Sequence, residues 1–132
     1  MDARVKSAVR DRAAHECEYC ALPQHLVPLA SFHIDHIVPK MHGGTDEPEN
    51  LALACYHCNL HKGPNLTGID PETNRIIPLF HPRHESWSDH FSFQGVYLIG
   101  LTPTGRATVR VLNMNSPGRL ELREELGLVR RS

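Results

Sequence analysis

Nowhere does the chain string together the roughly 18 apolar residues that a membrane-spanning helix needs, so no transmembrane segment is expected. Its first residues, MDARVKSAVRDRAAHE, lack the apolar core of a secretory leader, which leads to the expectation of a cytoplasmic protein. A basic tail or basic run is also missing: 14 Lys and Arg stand against 15 Asp and Glu, for a net charge of −1. Binding of nucleic acid through overall charge is thereby excluded. Any such attraction has to come from bound metal and a local arginine face. Residues 21–69 deepen the point, with only Lys40 and Lys62 against Asp35, Asp46, Glu47 and Glu49. Internal repeats and low-complexity tracts are absent too.

What is present suits one α+β domain of 132 residues around a modest core, 40% of the residues being apolar. Val5, Ala8, Val9 and Ala13 recur at helical spacing and predict a helix over 3–14. The segment 31–38, with Phe32 and Ile34 alternating with His33 and Asp35, predicts a strand. A turn-rich loop around Gly43-Gly44 and a second strand at LALA follow. CYHCNLHKG then opens a short helix that Gly63 and Pro64 close, giving a ββα unit. Further on, a strand is expected at 75–80 and a hairpin in FSFQGVYLIG, with Phe91, Phe93, Tyr97 and Ile99 on one face. TPTGRATVRVLNMN reads as a helix capped by Thr102 and opened by Pro103, and SPGRLELREELG as another, capped by Ser116 and ended by Gly127.

Four cysteines come as two pairs, Cys17-x2-Cys20 and Cys55-x2-Cys58, separated by 34 residues. In a reducing compartment such cysteines are metal ligands before they are disulfides. Two CxxC pairs present four thiolates to one tetrahedral zinc. With four protein ligands no position stays open, so this zinc is a structural staple. It would pin the ββα unit to the N-terminal helix.

Between and beyond the cysteines lie His33, Asp35, His36, His42, Asn50, His57, Asn59 and His61, an unusual density of groups that bind metals or move protons. DHIVP at 35–39, GG at 43–44, ENL at 49–51 and CYHCNLHKG at 55–63, together with the two CxxC pairs, resemble the HNH endonuclease family. The resemblance covers about residues 17–63, and a softer likeness to small stand-alone bacterial HNH proteins runs through LFHPRHESWSDHF and GLTPTGRATVRVLNMN. It implies a zinc-stapled ββα-metal core at 17–63, a helical brace at 1–16 and a small C-terminal α/β extension at 64–132. It implies further that Asp35 binds a catalytic divalent metal, that His36 is the general base and that Asn50 fixes the loop between the strands. The second ligand of the catalytic metal is Asn59 or His61, and His33 is a possible further contributor on the strand face of Asp35. The activity implied is hydrolysis of DNA phosphodiesters with Mg²⁺ or Mn²⁺, leaving 5′-phosphate and 3′-hydroxyl ends, by a monomer or homodimer. RNA is not excluded as a substrate.

Elementary chemistry is consistent with those roles. A histidine, with an ordinary pKa of ~6.5, takes up a proton near neutrality. A hard divalent ion held by few protein groups keeps positions for a phosphate oxygen and a departing oxygen. Adjacent residues on a strand point to opposite faces, so Asp35 and His36 would serve different sides. Arg106, Arg110, Arg119 and Arg123 are the expected phosphate contacts, and Trp87 a packed anchor. The competing reading is a zinc-ribbon-like module that binds nucleic acid or protein without catalysis.

Overall fold

The structure, a computed structural model, describes residues 1–128. Helix α1 spans Ala3–Arg12, and the Asp2 side chain caps it by accepting from the Arg4 amide at 2.7 Å. The chain then reverses sharply around the first cysteine pair, with Ala14, His15 and Ala21 in the left-handed region.

Strands β1 (Phe32–His36) and β2 (Leu51–Cys55) form an antiparallel hairpin in which Phe32 faces Cys55, Asp35 faces Ala52 and His36 faces Leu51. All of β2 is buried. Helix α2 (Tyr56–Lys62) packs against this hairpin, and α1 also rests on β2. Along the other edge of β2 lies the first cysteine loop. The Glu18 amide donates to Leu53 O at 2.8 Å, and the Leu53 amide donates to the Glu18 carboxylate at 2.7 Å. The ββα unit expected from the sequence is therefore present, and the second cysteine pair sits at the junction of β2 and α2. Gly63 ends α2 at φ 50 and ψ −139, a conformation that only glycine adopts readily.

The remaining chain adds two hairpins and three helices. β3 (Thr67–Ile69) pairs with β4 (Ile76–Pro78), a shorter strand than the expected 75–80. After the short helix α3 (Trp87–His90) come β5 (Phe91–Gln94) and β6 (Tyr97–Gly100). The hairpin forms as expected but with a different face inward. The turn at Gly95-Val96 pairs Phe93 with Leu98, so Leu98 joins Phe91 and Phe93 in the core while Tyr97 is exposed. Helix α4 (Pro103–Val111) has the expected cap, Thr102 Oγ1 accepting from the Gly105 amide at 3.0 Å. Helix α5 (Pro117–Glu125) begins at Pro117, but the Ser116 side chain makes no capping bond; only its carbonyl accepts, from the Arg119 and Leu120 amides. Trp87 does anchor the extension, donating its indole N–H to Tyr19 O at 2.8 Å and lying against Phe91 and Phe93. No helix among the described residues is long and apolar enough to cross a membrane.

Candidate active site and metal centre

The four cysteines come together from three elements. Cys17 and Cys20 belong to the loop after α1, Cys55 ends β2, and Cys58 lies in the first turn of α2. Their Sγ atoms all lie within 4.8 Å of one another, and all four residues are buried. Each pair closes on itself in the same way: the Cys20 amide faces Cys17 Sγ at 3.5 Å, and the Cys58 amide faces Cys55 Sγ at 3.4 Å. Arg119 of α5 donates Nη2 to Cys55 Sγ at 3.3 Å. Burial pushes the Cys17 thiol well above its ordinary range, while hydrogen bonding with Cys17, Cys55 and Cys58 draws Cys20 well below it. Four crowded thiols cannot all ionise alone, and a divalent cation among them would make all four thiolates. The donor set fits a closed tetrahedral zinc.

A second constellation lies at the end of β1, where the strand sends neighbours to opposite sides. His36 points to the loop, and its Nε2 lies 2.7 Å from Asp46 Oδ1. Lys40 holds the same carboxylate, with Nζ 3.3 Å from Oδ1. Hydrogen bonds from His36 and then Lys40 keep the Asp46 carboxyl below its ordinary range. The loop carrying Asp46 is pinned by Asn50, whose Oδ1 accepts from the Val38 amide at 2.8 Å. Its Nδ2 donates to Val38 O at 3.0 Å and Thr45 O at 2.8 Å. The glycine pair has a steric reason: a Cβ on Gly44 would sit 1.6 Å from Val38 O.

Asp35 points the other way, beneath α2, and is only 6% exposed. Tyr19 donates its hydroxyl to Asp35 Oδ2 at 2.6 Å, and Lys62 Nζ lies 3.2 Å from the same oxygen. Lys62 is itself buried and also donates to His36 O at 3.0 Å and Ile37 O at 3.1 Å. Burial raises the Asp35 carboxyl above its ordinary range, with Lys62 and Tyr19 opposing the shift. Nothing local in the sequence signals this pairing, because it depends on which face of α2 meets β1.

Asn59 and His61, the two residues expected from the resemblance as a second metal ligand, are placed differently by the phase of α2. Asn59 lies one turn before Lys62 on the side facing β1, lining a pocket with His33 and Ile34. His61 is turned elsewhere. Its Nδ1 bonds to His57 O at 2.8 Å, its ring lies 4.1 Å from the His57 ring, and His57 in turn bonds to Asn113 O. His33, on the strand face of Asp35, has a buried Nε2 with no hydrogen-bond partner. Asp46, which stands out in the sequence only as a charge, is the carboxylate that meets His36 here. Its position between the glycine pair and Asn50 was the available signal.

The expected arginine face is mostly committed to internal contacts. Arg106 forms a bidentate pair with Asp70 at 2.9 Å and 2.9 Å, and Arg119 serves the cysteine cluster. Arg123 is buried and bonds to Val96 O, Met114 O and Asn115. Of the four, only Arg110 has no such partner among the described residues, because the others meet carbonyls, carboxylates or thiols from distant parts of the chain.

Residues 17–65 match the family model described as HNH endonuclease. The match begins at the first cysteine and ends just beyond α2, so it frames both constellations. No curated protein and no solved structure matches the chain.

Proposed function

We propose that the protein, whose residues 17–65 match the HNH endonuclease family model and whose four cysteines are placed to hold a metal, hydrolyses DNA phosphodiester bonds in a divalent-metal-dependent reaction, with His36 as general base and zinc as a structural staple. The observation that carries this reading is the 2.7 Å contact between His36 Nε2 and Asp46. An ionised carboxylate only accepts hydrogen bonds, so it fixes the proton of the neutral ring on Nε2. Nδ1 then keeps its lone pair and takes the proton of the attacking water. Asn50, by pinning the loop, holds Asp46 against the ring.

The fit of a divalent cation rests on donors near the end of β1: the Asp35 carboxylate on the strand face away from His36, and the Asn59 amide of α2 and the unpartnered Nε2 of His33, two residues that line one pocket. Asp35 and Asn59 would hold Mg²⁺ or Mn²⁺, with His33 beside them. When bound, the ion supplies positive charge to the scissile phosphate and the departing oxygen. The Lys62 ammonium has to give way at Asp35 for this to happen. That same ion pair favours the second reading, a binding module without catalysis, since it satisfies Asp35 internally. With one such site per chain, cutting both strands takes a homodimer or two encounters.

Supercoiled plasmid incubated with Mg²⁺, Mn²⁺ or EDTA tests the proposal, with structured RNA alongside to read substrate class. The wild-type protein is expected to cut DNA with either metal and to stop with EDTA. His36→Ala should retain the fold and lose roughly 10²–10⁴-fold in rate. Binding of nucleic acid by both proteins, with cleavage by neither under any divalent ion, would establish the binding module instead.

A further inference from the structure

Beside the donors of β1 lies a pocket of about 290 Å³ whose lining includes Lys6 and Arg10 of α1, His33 of β1 and Asn59 of α2. Lys6 and Arg10 are one helical turn apart and share a face. Neither side chain has a hydrogen-bond or ion-pair partner among the described residues, and no carboxylate lines the pocket. The acids of the same helix are engaged elsewhere: Asp2 caps the helix and pairs with Arg4, and Asp11 pairs with His15. Most other cations among the described residues have partners within the protein. Lys62 meets Asp35, Lys40 meets Asp46, Arg12 meets the carbonyls of Pro48 and Leu51, Arg83 meets Glu18 and Arg106 meets Asp70. The α1 pair is thus an uncompensated double positive charge facing a concave site, in a protein whose net charge is −1.

We propose that Lys6 and Arg10, across the pocket from His33 and Asn59, form a subsite for a non-scissile phosphate of the bound nucleic-acid strand. This rests on the reading of the adjacent face as the hydrolytic site. His33 is two strand residues from Asp35, about 6.6 Å along β1. That is the order of the spacing between neighbouring phosphates in one strand. A strand with one phosphate at Asp35 and Asn59 therefore brings the next towards α1. The role assigned to the C-terminal arginines by the sequence passes to the N-terminal helix.

Fluorescence anisotropy with a labelled DNA oligonucleotide tests the subsite in the full-length His36→Ala protein, where cleavage does not interfere. Lys6→Ala/Arg10→Ala is expected to weaken binding on the order of tenfold and to flatten the dependence of log K on log salt by about 1–2. Both side chains lie on a surface helix, and circular dichroism checks that the fold is retained. Arg110→Ala, which removes an unpaired arginine away from the pocket, is expected to leave affinity and slope unchanged. An unaltered slope in the double variant overturns the subsite, as does an equal loss in Arg110→Ala. Inorganic phosphate competing as well as the oligonucleotide does so too, because the pocket would then hold a free anion. The readout is binding alone, so the two proposals fail separately. Loss of affinity in a protein that cuts nothing overturns only the nuclease, whereas a protein that cuts and binds normally without Lys6 and Arg10 overturns only the subsite.

Discussion

A histidine works as a base only if something decides which nitrogen carries the proton, and in the proposed reaction that decision at His36 falls to Asp46, 2.7 Å from its Nε2. Two substitutions separate this role from mere charge. Asp46→Ala removes the acceptor, so the ring is free to rotate and to exchange tautomers. Activity on plasmid is expected to fall roughly a hundredfold, the cost of a misplaced reacting group. Asp46→Asn keeps an oxygen in place and should retain activity between the two. Both proteins should bind DNA as wild type does, since Asp46 lies on the side of β1 away from the proposed phosphate subsite. Full activity in Asp46→Ala would show that the loop, and not the carboxylate, orients the ring.

At the scale of elements, the sequence was informative wherever punctuation was local. The second cysteine pair marked the end of β2, Gly63-Pro64 the end of α2 and Thr102-Pro103 the start of α4, because each acts through its own backbone, whereas β1 stops at His36, short of the expected 38. It was uninformative wherever a choice depended on two elements meeting. The inward face of β5 and β6 turned on the parity of a two-residue connection. The burial of Lys62 turned on the phase of α2 over β1. Arg106 shows the same limit: its partner Asp70 lies 36 positions away. That pair ties the β3–β4 connection to α4. The hydrogen bonds of Arg106 hold the Asp70 carboxyl far below the usual carboxylate range. A carboxyl depressed in the folded state stabilises the fold above its unfolded pKa of about 3.9, and the contribution is lost as pH falls below that value. Asp70→Asn should therefore be less stable than wild type at neutral pH. Its stability should also decline less between pH 4 and the acid limit, as followed by urea unfolding at a series of pH values. Parallel acid profiles for the two proteins would remove Asp70 from the account.

At the scale of the whole molecule the cysteine cluster joins two places that the chain keeps far apart: the loop after α1 and the junction of β2 with α2. Structural zinc in small domains contributes on the order of 10 kcal/mol of binding free energy, and with no preformed site in the unfolded chain much of it is folding free energy. Cys55→Ser should yield insoluble or poorly folded protein, and elemental analysis of native protein should find one zinc per chain. Native protein without zinc would leave the four cysteines as ordinary core residues. The cluster is also roofed. Arg119, Leu122 and Arg123 of α5 lie over Cys20, and the Arg119 guanidinium reaches Cys55 directly. All four cysteines are buried, so a chelator is expected to reach a bound ion only when the fold opens around them, and the lifting of α5 is the expected opening. Metal loss then becomes a clock for that opening: above a modest chelator concentration its rate should level off at the frequency with which α5 detaches, whatever the strength of the competitor.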